Sequence, residues 1–151
     1  MTAVTGRART WVKVTLALWF VAVGVITMRP APPDDETLGL AVRFIEWLAS
    51  LGLPVTVPGM EAGANVVMFV PFGVLVGLLL ARPWWVVVLL GAATSGLIET
   101  IQRWLPTRWS TLQDVVMNTT GAAVGVLGLV LVVWWRGRAG AGSASDDAAG
   151  S

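Results

Sequence analysis

Four long apolar stretches constrain this chain more than any other feature of its sequence. They cover residues 11–28, 62–81, 84–105 and 112–135, and each approaches the length of about 20 residues that a helix needs to cross a bilayer. Because 56% of the 151 residues are hydrophobic, a soluble domain this small would leave too much apolar surface in water. The sequence therefore predicts an all-α integral membrane bundle of four transmembrane helices.

The ends of these stretches carry residues typical of membrane boundaries and helix ends. Seven tryptophans lie at or near them, as in an aromatic belt: Trp11, Trp84, Trp85, Trp104, Trp109, Trp134 and Trp135. Arg82-Pro83 separates the second and third spans, and Pro106 stops the third. Two overlapping capping boxes are alternative starts of the fourth: Ser110 with Gln113, or Thr111 with Asp114. The last three spans are therefore antiparallel neighbours joined by short connections.

The distribution of basic residues favours one orientation. An inside N terminus places six of them in the cytoplasm: Arg7, Arg9, Lys13, Arg82, Arg136 and Arg138. It places four outside: Arg29, Arg43, Arg103 and Arg108. Three of the six precede the first helix, which usually dominates, so we expect both termini in the cytoplasm. We expect the first span to be an uncleaved anchor, because residues 27–30 lack the small residues of a signal-peptide cleavage site.

Two further segments complete the predicted organisation. Residues 36–51 repeat apolar side chains at helical spacing but carry charges, which predicts an amphipathic helix between spans one and two. This helix lies either on the outer membrane surface or on the mouth of the bundle. Residues 136–151 are rich in Gly, Ala, Ser and Asp, which predicts a disordered cytoplasmic tail after a membrane domain of residues 1–135.

The composition excludes several kinds of chemistry. The chain has no cysteine and no histidine, which excludes disulfides, thiol nucleophiles, zinc sites built from these residues and a Ser-His-Asp triad. A net charge of +1 with no basic cluster gives no reason to expect nucleic acid as a partner. We expect no cofactor and no metal, and the sequence does not determine the oligomeric state.

Polar residues collect at one side of the predicted membrane domain. The start of span two, the end of span three and the start of span four must share a side, because these helices are antiparallel. Seven polar residues lie there as a candidate ligand-binding site: Glu61, Asn65, Glu99, Gln102, Arg108, Asp114 and Asn118. Ionisable groups at a helix centre cost about 2.5–3.5 kcal/mol each on insertion scales, so such a cluster points to function. If the site is catalytic, the candidates are its carboxylates Glu61, Glu99 and Asp114.

Small residues on the same helix faces predict close packing. Gly121 and Gly125 form a GxxxG pair that continues the face of Asn118, and Gly91 with Ser95 does the same below Glu99. Pro71 deprives the Val67 carbonyl of its helical donor, which predicts a kink or an open backbone acceptor in span two. The structural alternative is that the polar residues only join or cap helices, and for any single residue that alternative is favoured.

At these residues the sequence resembles the VanZ-like family of bacterial membrane proteins. The resemblance covers about residues 59–133 and rests on motifs in a fixed order. They are Glu61 with Asn65, Phe69, Pro71 and Gly73; Ser95 with Glu99 and Gln102; and Arg108 with Asp114, Asn118 and Gly121. The resemblance implies a bacterial cell-membrane protein, and the family's namesake is linked to resistance to teicoplanin, a glycopeptide that binds cell-wall precursors. No established reaction comes with the family.

Three functions are compatible with these observations. The first is a non-enzymatic envelope protein whose outward polar site binds a membrane lipid head group, a lipid-linked cell-wall precursor or a glycopeptide. The second is a membrane-embedded carboxylate enzyme, with or without Mg²⁺ or Ca²⁺, that acts on lipid-linked substrates. The third is a small transporter. We favour the first, because no nucleophile is identified and no polar group lies deep in the opposite half of the membrane.

Overall fold

The computed structural model describes residues 4, 6–28, 35–53, 55–104 and 111–149. In this part of the chain the secondary structure is helical throughout, in the order α1 Gly6–Thr27, α2 Asp35–Ser50, α3 Val57–Leu80, α4 Trp84–Gln102 and α5 Leu112–Ala149. Four of these helices are long and apolar enough to cross a membrane: α1, α3, α4 and the Leu112–Arg138 part of α5. The predicted all-α membrane bundle is therefore confirmed, with a shorter helix between spans one and two.

The helix boundaries differ from the predicted spans in three places. Helix α3 begins at Val57 instead of residue 62, because Thr56 caps it: the Gly59 N–H donates to Thr56 Oγ1 at 3.2 Å. Pro58 in the first turn has no N–H to leave unsatisfied. Helix α1 begins at Gly6 instead of residue 11, and α4 ends at Gln102, ahead of residue 105, which lies outside the described residues.

The C-terminal segment also differs from its prediction. Helix α5 continues to Ala149, where the composition predicts a disordered tail from residue 136. Extension of a formed helix adds hydrogen bonds without a new nucleation step, and alanine has the highest helix propensity. These two effects favour helix beyond the membrane-spanning part of α5.

Local sequence signals explain the C-terminal end of α2 and the start of α5. Gly52 takes a φ of +79° after α2, and the Gly52 and Leu53 N–H groups donate to carbonyls of the last turn in the two bonds of a Schellman motif. At α5 the Asp114 N–H donates to Thr111 Oγ1 at 3.2 Å, which selects the Thr111 capping box. The alternative cap, Ser110, lies outside the described residues. The location of α2 at a membrane surface stays a prediction.

Helices α3 and α5 form the centre of the bundle, and glycines allow their backbones to meet. A Cβ at Gly121 or Gly125 would overlap a carbonyl oxygen of α3, that of Val66 or Val70 respectively. A Cβ at Gly73 of α3 would in turn overlap a carbonyl oxygen of α5. Each helix therefore accommodates the other's backbone where it has no side chain, and the predicted close packing at the GxxxG pair is present.

The other two spans pack on this central pair. A Cβ at Gly91 of α4 would lie 2.6 Å from Ala122 Cβ, so α4 also approaches α5 closely at its predicted packing position. Ser95, one turn further along α4, is completely buried. Below the polar end, the described core consists of apolar side chains of α3, α4 and α5: Phe69, Phe72, Val76, Val87, Ala122 and Val126.

Helix α1 is fixed to α3 through Trp19. Its indole packs edge-on against Phe69, with ring centroids 5.2 Å apart, and its Nε1–H donates to the Met68 carbonyl at 2.9 Å. The sequence predicted an open acceptor in this turn at Val67, because Pro71 lacks an N–H. The Trp19 indole instead donates to the carbonyl of the next residue, Met68. Helix α3 remains helical through Pro71.

Candidate functional site

The polar ends of four helices surround one cavity. The end of α1, the start of α3, the end of α4 and the start of α5 lie at the same end of the bundle, as the alternation of helix directions requires. The cavity has a volume of about 470 Å³. Its polar lining comprises Thr27, Glu61, Asn65, Glu99, Gln102, Asp114 and Asn118. Six of the seven predicted site residues are among them, and the seventh, Arg108, lies outside the described residues.

The mouth of the cavity carries two carboxylates. Glu61 is exposed in the second turn of α3, and Asp114 is partly buried in the first turn of α5. The Asn65 Nδ2–H donates to Asp114 Oδ1 at 2.6 Å, and the Thr111 hydroxyl donates to Asp114 Oδ2 at 2.7 Å. Both oxygens of Asp114 therefore accept a hydrogen bond from a neutral donor, which fixes its position between α3 and α5.

The depth of the cavity carries Asn118 and Glu99. Asn118 is 3% exposed and Glu99 is 5% exposed. The Asn118 Nδ2–H donates to Ser95 Oγ at 2.8 Å and so joins α5 to α4. The Asn118 Oδ1 is buried, and it accepts no hydrogen bond from the described residues. Ser95, predicted from its small size as a packing residue, therefore also positions the amide of Asn118.

Helix α1 joins the site through a hydrogen bond between Thr27, at its end, and Gln102 of α4. The Gln102 Nε2–H donates to the Thr27 carbonyl at 3.0 Å, and the Thr27 hydroxyl donates to the Val23 carbonyl at 2.7 Å. Thr27 is not among the site residues predicted from the sequence. Because the spans alternate in direction, the end of span one lies on the same side as the other candidates. This argument could also have identified Thr27.

Apolar side chains supply the remaining walls, and the sequence gave no reason to single them out. They are Ala64, Met68, Phe69 and Ile98. Phe69 is fully buried and belongs to the core below, so it closes the cavity toward the middle of the membrane. The site therefore combines a carboxylate-rich mouth with an apolar floor, as ligand sites with a few placed polar groups commonly do.

A metal centre receives no support from this arrangement. The part of the chain that the structure describes contains no group of three or more acidic side chains placed to hold a metal ion. The candidates Glu61, Glu99 and Asp114 line one cavity, but they do not form such a group. The metal-dependent form of the enzyme alternative therefore lacks its ligand set among these residues.

The fold and the cavity define a multi-pass α-helical membrane protein with a polar cavity between its spans. The sequence model of the VanZ/LLP1 family matches residues 10–134, which is most of the chain. The chain therefore belongs to the VanZ/LLP1 family, and the resemblance found in its motifs is confirmed. No curated protein and no solved structure matches the chain.

Proposed function

We propose that this protein acts in the bacterial cell envelope by binding the polar head of a membrane lipid or of a lipid-linked cell-wall precursor in the cavity. The observation that carries the proposal is the cavity itself, with its carboxylates at the mouth and its amides in the depth. A volume of about 470 Å³ falls within the range of roughly 300–1,000 Å³ that is common for small-molecule sites. Tolerance to glycopeptides would follow if the bound precursor were shielded from the drug.

The proposed orientation opens the cavity outward. Arg7 and Arg9 begin α1, and Arg82 lies in the connection from α3 to α4, at the end of the bundle opposite the cavity. The basic residues of that end support a cytoplasmic location for it. The cavity then faces the compartment in which lipid-linked precursors are used and glycopeptides act.

The open volume supports a binding role over a purely structural one. The bonds from Asn65 to Asp114 and from Asn118 to Ser95 do join helices, as the structural alternative requires. If joining were their whole role, the helices could close around them, because unfilled space forfeits dispersion contacts. The cavity instead remains open beside these bonds.

The two other functions differ in what the cavity must do. A carboxylate enzyme would use the same lining residues, and would change the chemical composition of lipids or precursors instead of only retaining them. Transport requires a path to the opposite side, and below the cavity the buried side chains of Phe72, Val76 and Val126 fill the space between helices. This core disfavours the transporter.

The test uses Glu99→Gln, which preserves shape and removes charge from the buried wall. Expression of the wild-type protein in a susceptible Gram-positive host should raise tolerance to lipid-anchored glycopeptides, and the variant should lose that effect at normal membrane abundance. Glu61→Gln and Asp114→Asn should act alike, and pairs should add little because the residues work as one unit. Glu46→Gln removes the same charge from exposed α2 and is the matched control.

Two results would contradict the proposal. Full tolerance with Glu99→Gln at normal abundance would show that the cavity is not the working site. Unchanged tolerance across the drug class with the wild-type protein would remove the envelope role for this chain. Mass spectrometry of lipids and wall precursors in the same strains distinguishes binding from catalysis, because only an enzyme changes their chemical composition.

A further inference from the structure

The polar groups of the cavity differ in how much hydrogen-bonding capacity remains for a ligand. One N–H of each amide of Asn65, Gln102 and Asn118 already donates to a protein oxygen. The Thr27 hydroxyl donates to the Val23 carbonyl as well. On the acceptor side, Asn118 Oδ1 has no partner among the described residues. The cavity therefore has a buried acceptor that is open to a donor from a ligand.

The open acceptor is built into the site. Asn118 is 3% exposed and lines the cavity, and its Nδ2–H is held by Ser95 of the neighbouring helix. This bond fixes the orientation of the amide, so that Oδ1 is the atom left to accept a hydrogen bond. A buried amide oxygen that accepts no hydrogen bond is rare in folded proteins, because burial removes its bonds to water. A ligand that carries N–H or O–H groups would supply the missing bond.

The charges that line the cavity further restrict the chemical class of ligand. Glu61 and Asp114 lie at the mouth of the same cavity, and both donors to Asp114 are neutral. No lysine or arginine lines the cavity in the described ranges. A donor-bearing cation is stabilised by carboxylates of this kind through charge-assisted hydrogen bonds.

We propose that the cavity binds a primary ammonium group, which donates one N–H to Asn118 Oδ1 and is held by the carboxylates at the mouth. The inference rests on the proposed function and deepens it by naming the class of head group. Its position suits a lipid: Asn118 lies six residues into α5, about 9 Å from the helix start at 1.5 Å per residue. An amine in the interfacial region reaches this depth through the open mouth.

The test compares amines whose nitrogen carries either N–H groups or methyl groups in their place. The full chain in detergent is titrated with dioctanoyl-phosphatidylethanolamine and dioctanoyl-phosphatidylcholine, which have the same net charge, while the latter has no N–H. We expect at least about tenfold tighter binding of the ethanolamine lipid, because one hydrogen bond to a buried group contributes about this factor and the carboxylates at the mouth also accept N–H groups. Free ethanolamine and choline form a second pair: the same preference there shows that the amine alone suffices, and its absence shows that the lipid is required. Either result of this second pair fits the proposal.

Three variants locate the preference at the amide oxygen. Asn118→Leu removes the acceptor and should lower the preference for the ethanolamine lipid by about tenfold, the part that the hydrogen bond to Oδ1 contributes. Asn118→Asp keeps an oxygen at this position and should retain it. Ser95→Ala breaks the same bond between α4 and α5 but leaves Oδ1 in place, so it controls for the loss of this bond and should lower the preference less than Asn118→Leu does.

The results distinguish this inference from the proposed function. Equal binding of both lipids, or a preference that Asn118→Leu leaves unchanged, would overturn the ammonium site. If dioctanoyl-phosphatidylglycerol then binds and Glu99→Gln weakens it, the cavity still binds head groups and the proposed function stands. Loss of the preference in Asn118→Asp would show that the amide presents its N–H side, which would also overturn the proposal.

Discussion

Replacement of Gly121 by alanine tests the central contact of the bundle. A Cβ at this position would overlap the Val66 carbonyl oxygen. That Cβ would lie 2.1 Å from the oxygen, and ordinary contact at roughly 3.5–4.0 Å requires the two atoms to move apart by about 1.4–1.9 Å. Overpacking of this kind costs about 1–3 kcal/mol. The hydrogen bond from Asn65 to Asp114 spans the same two helices beside Val66, and its loss adds about 0.6 kcal/mol, an average for bonds between membrane helices. Gly121→Ala should therefore lower the free energy of unfolding by about 2–4 kcal/mol.

The matched control lies on the same helix. A Cβ at Gly128 meets no atom within 4 Å, so Gly128→Ala changes only helix propensity and should be neutral or stabilising by up to about 1 kcal/mol. Reversible unfolding in mixed micelles, followed by tryptophan fluorescence, measures both variants against the wild type. Equal free energies of unfolding for Gly121→Ala and Gly128→Ala would refute the argument from close backbone packing.

Three further predictions follow from single contacts. Trp19→Phe keeps an aromatic ring but loses the hydrogen bond to α3, and should lower the free energy of unfolding by about 0.6–1.7 kcal/mol; Trp11→Phe, at an exposed position, should leave it unchanged. Thr111→Val removes the cap of α5 and should cost about 0.5–2 kcal/mol in the same assay. For orientation, a cysteine at Thr56 should react with an impermeant thiol reagent in intact cells and a cysteine at Ser143 should not; the reverse pattern would invert the topology.

The grouping of the polar residues was predictable because it depends only on helix direction. Once the spans are recognised, the starts of α3 and α5 and the end of α4 must share a side, whatever the details of packing. Glu61, Glu99 and Asn118 are therefore brought together by topology alone. Their role in binding remains a proposal, because topology does not show what occupies the space between them.

Features that depend on helix rotation were not predictable in this way. The Trp19 indole donates to the Met68 carbonyl and not to the Val67 carbonyl, which lacks its helical donor because of Pro71. Which carbonyl the indole reaches depends on the rotation of α1 relative to α3. The early start of α3 was hidden by Pro58 and Gly59, which interrupt the apolar pattern although they fit a first helical turn. Thr27 was missed because a single threonine at the end of an apolar span carries no charge or motif that marks it as a site residue.

The cavity itself follows from a gradient of side-chain size along the facing helices. On α4 the inward face runs from Gly91 through Ser95 to Glu99, and the side chains grow toward the polar end. On α5 the residues change in the same direction from glycine at positions 125 and 121 to the larger Asn118 and Asp114. The glycines allow the backbones to approach closely, whereas the polar end of the same helices carries longer side chains. The residues that line the cavity therefore lie at the end of these helices where the longer side chains begin.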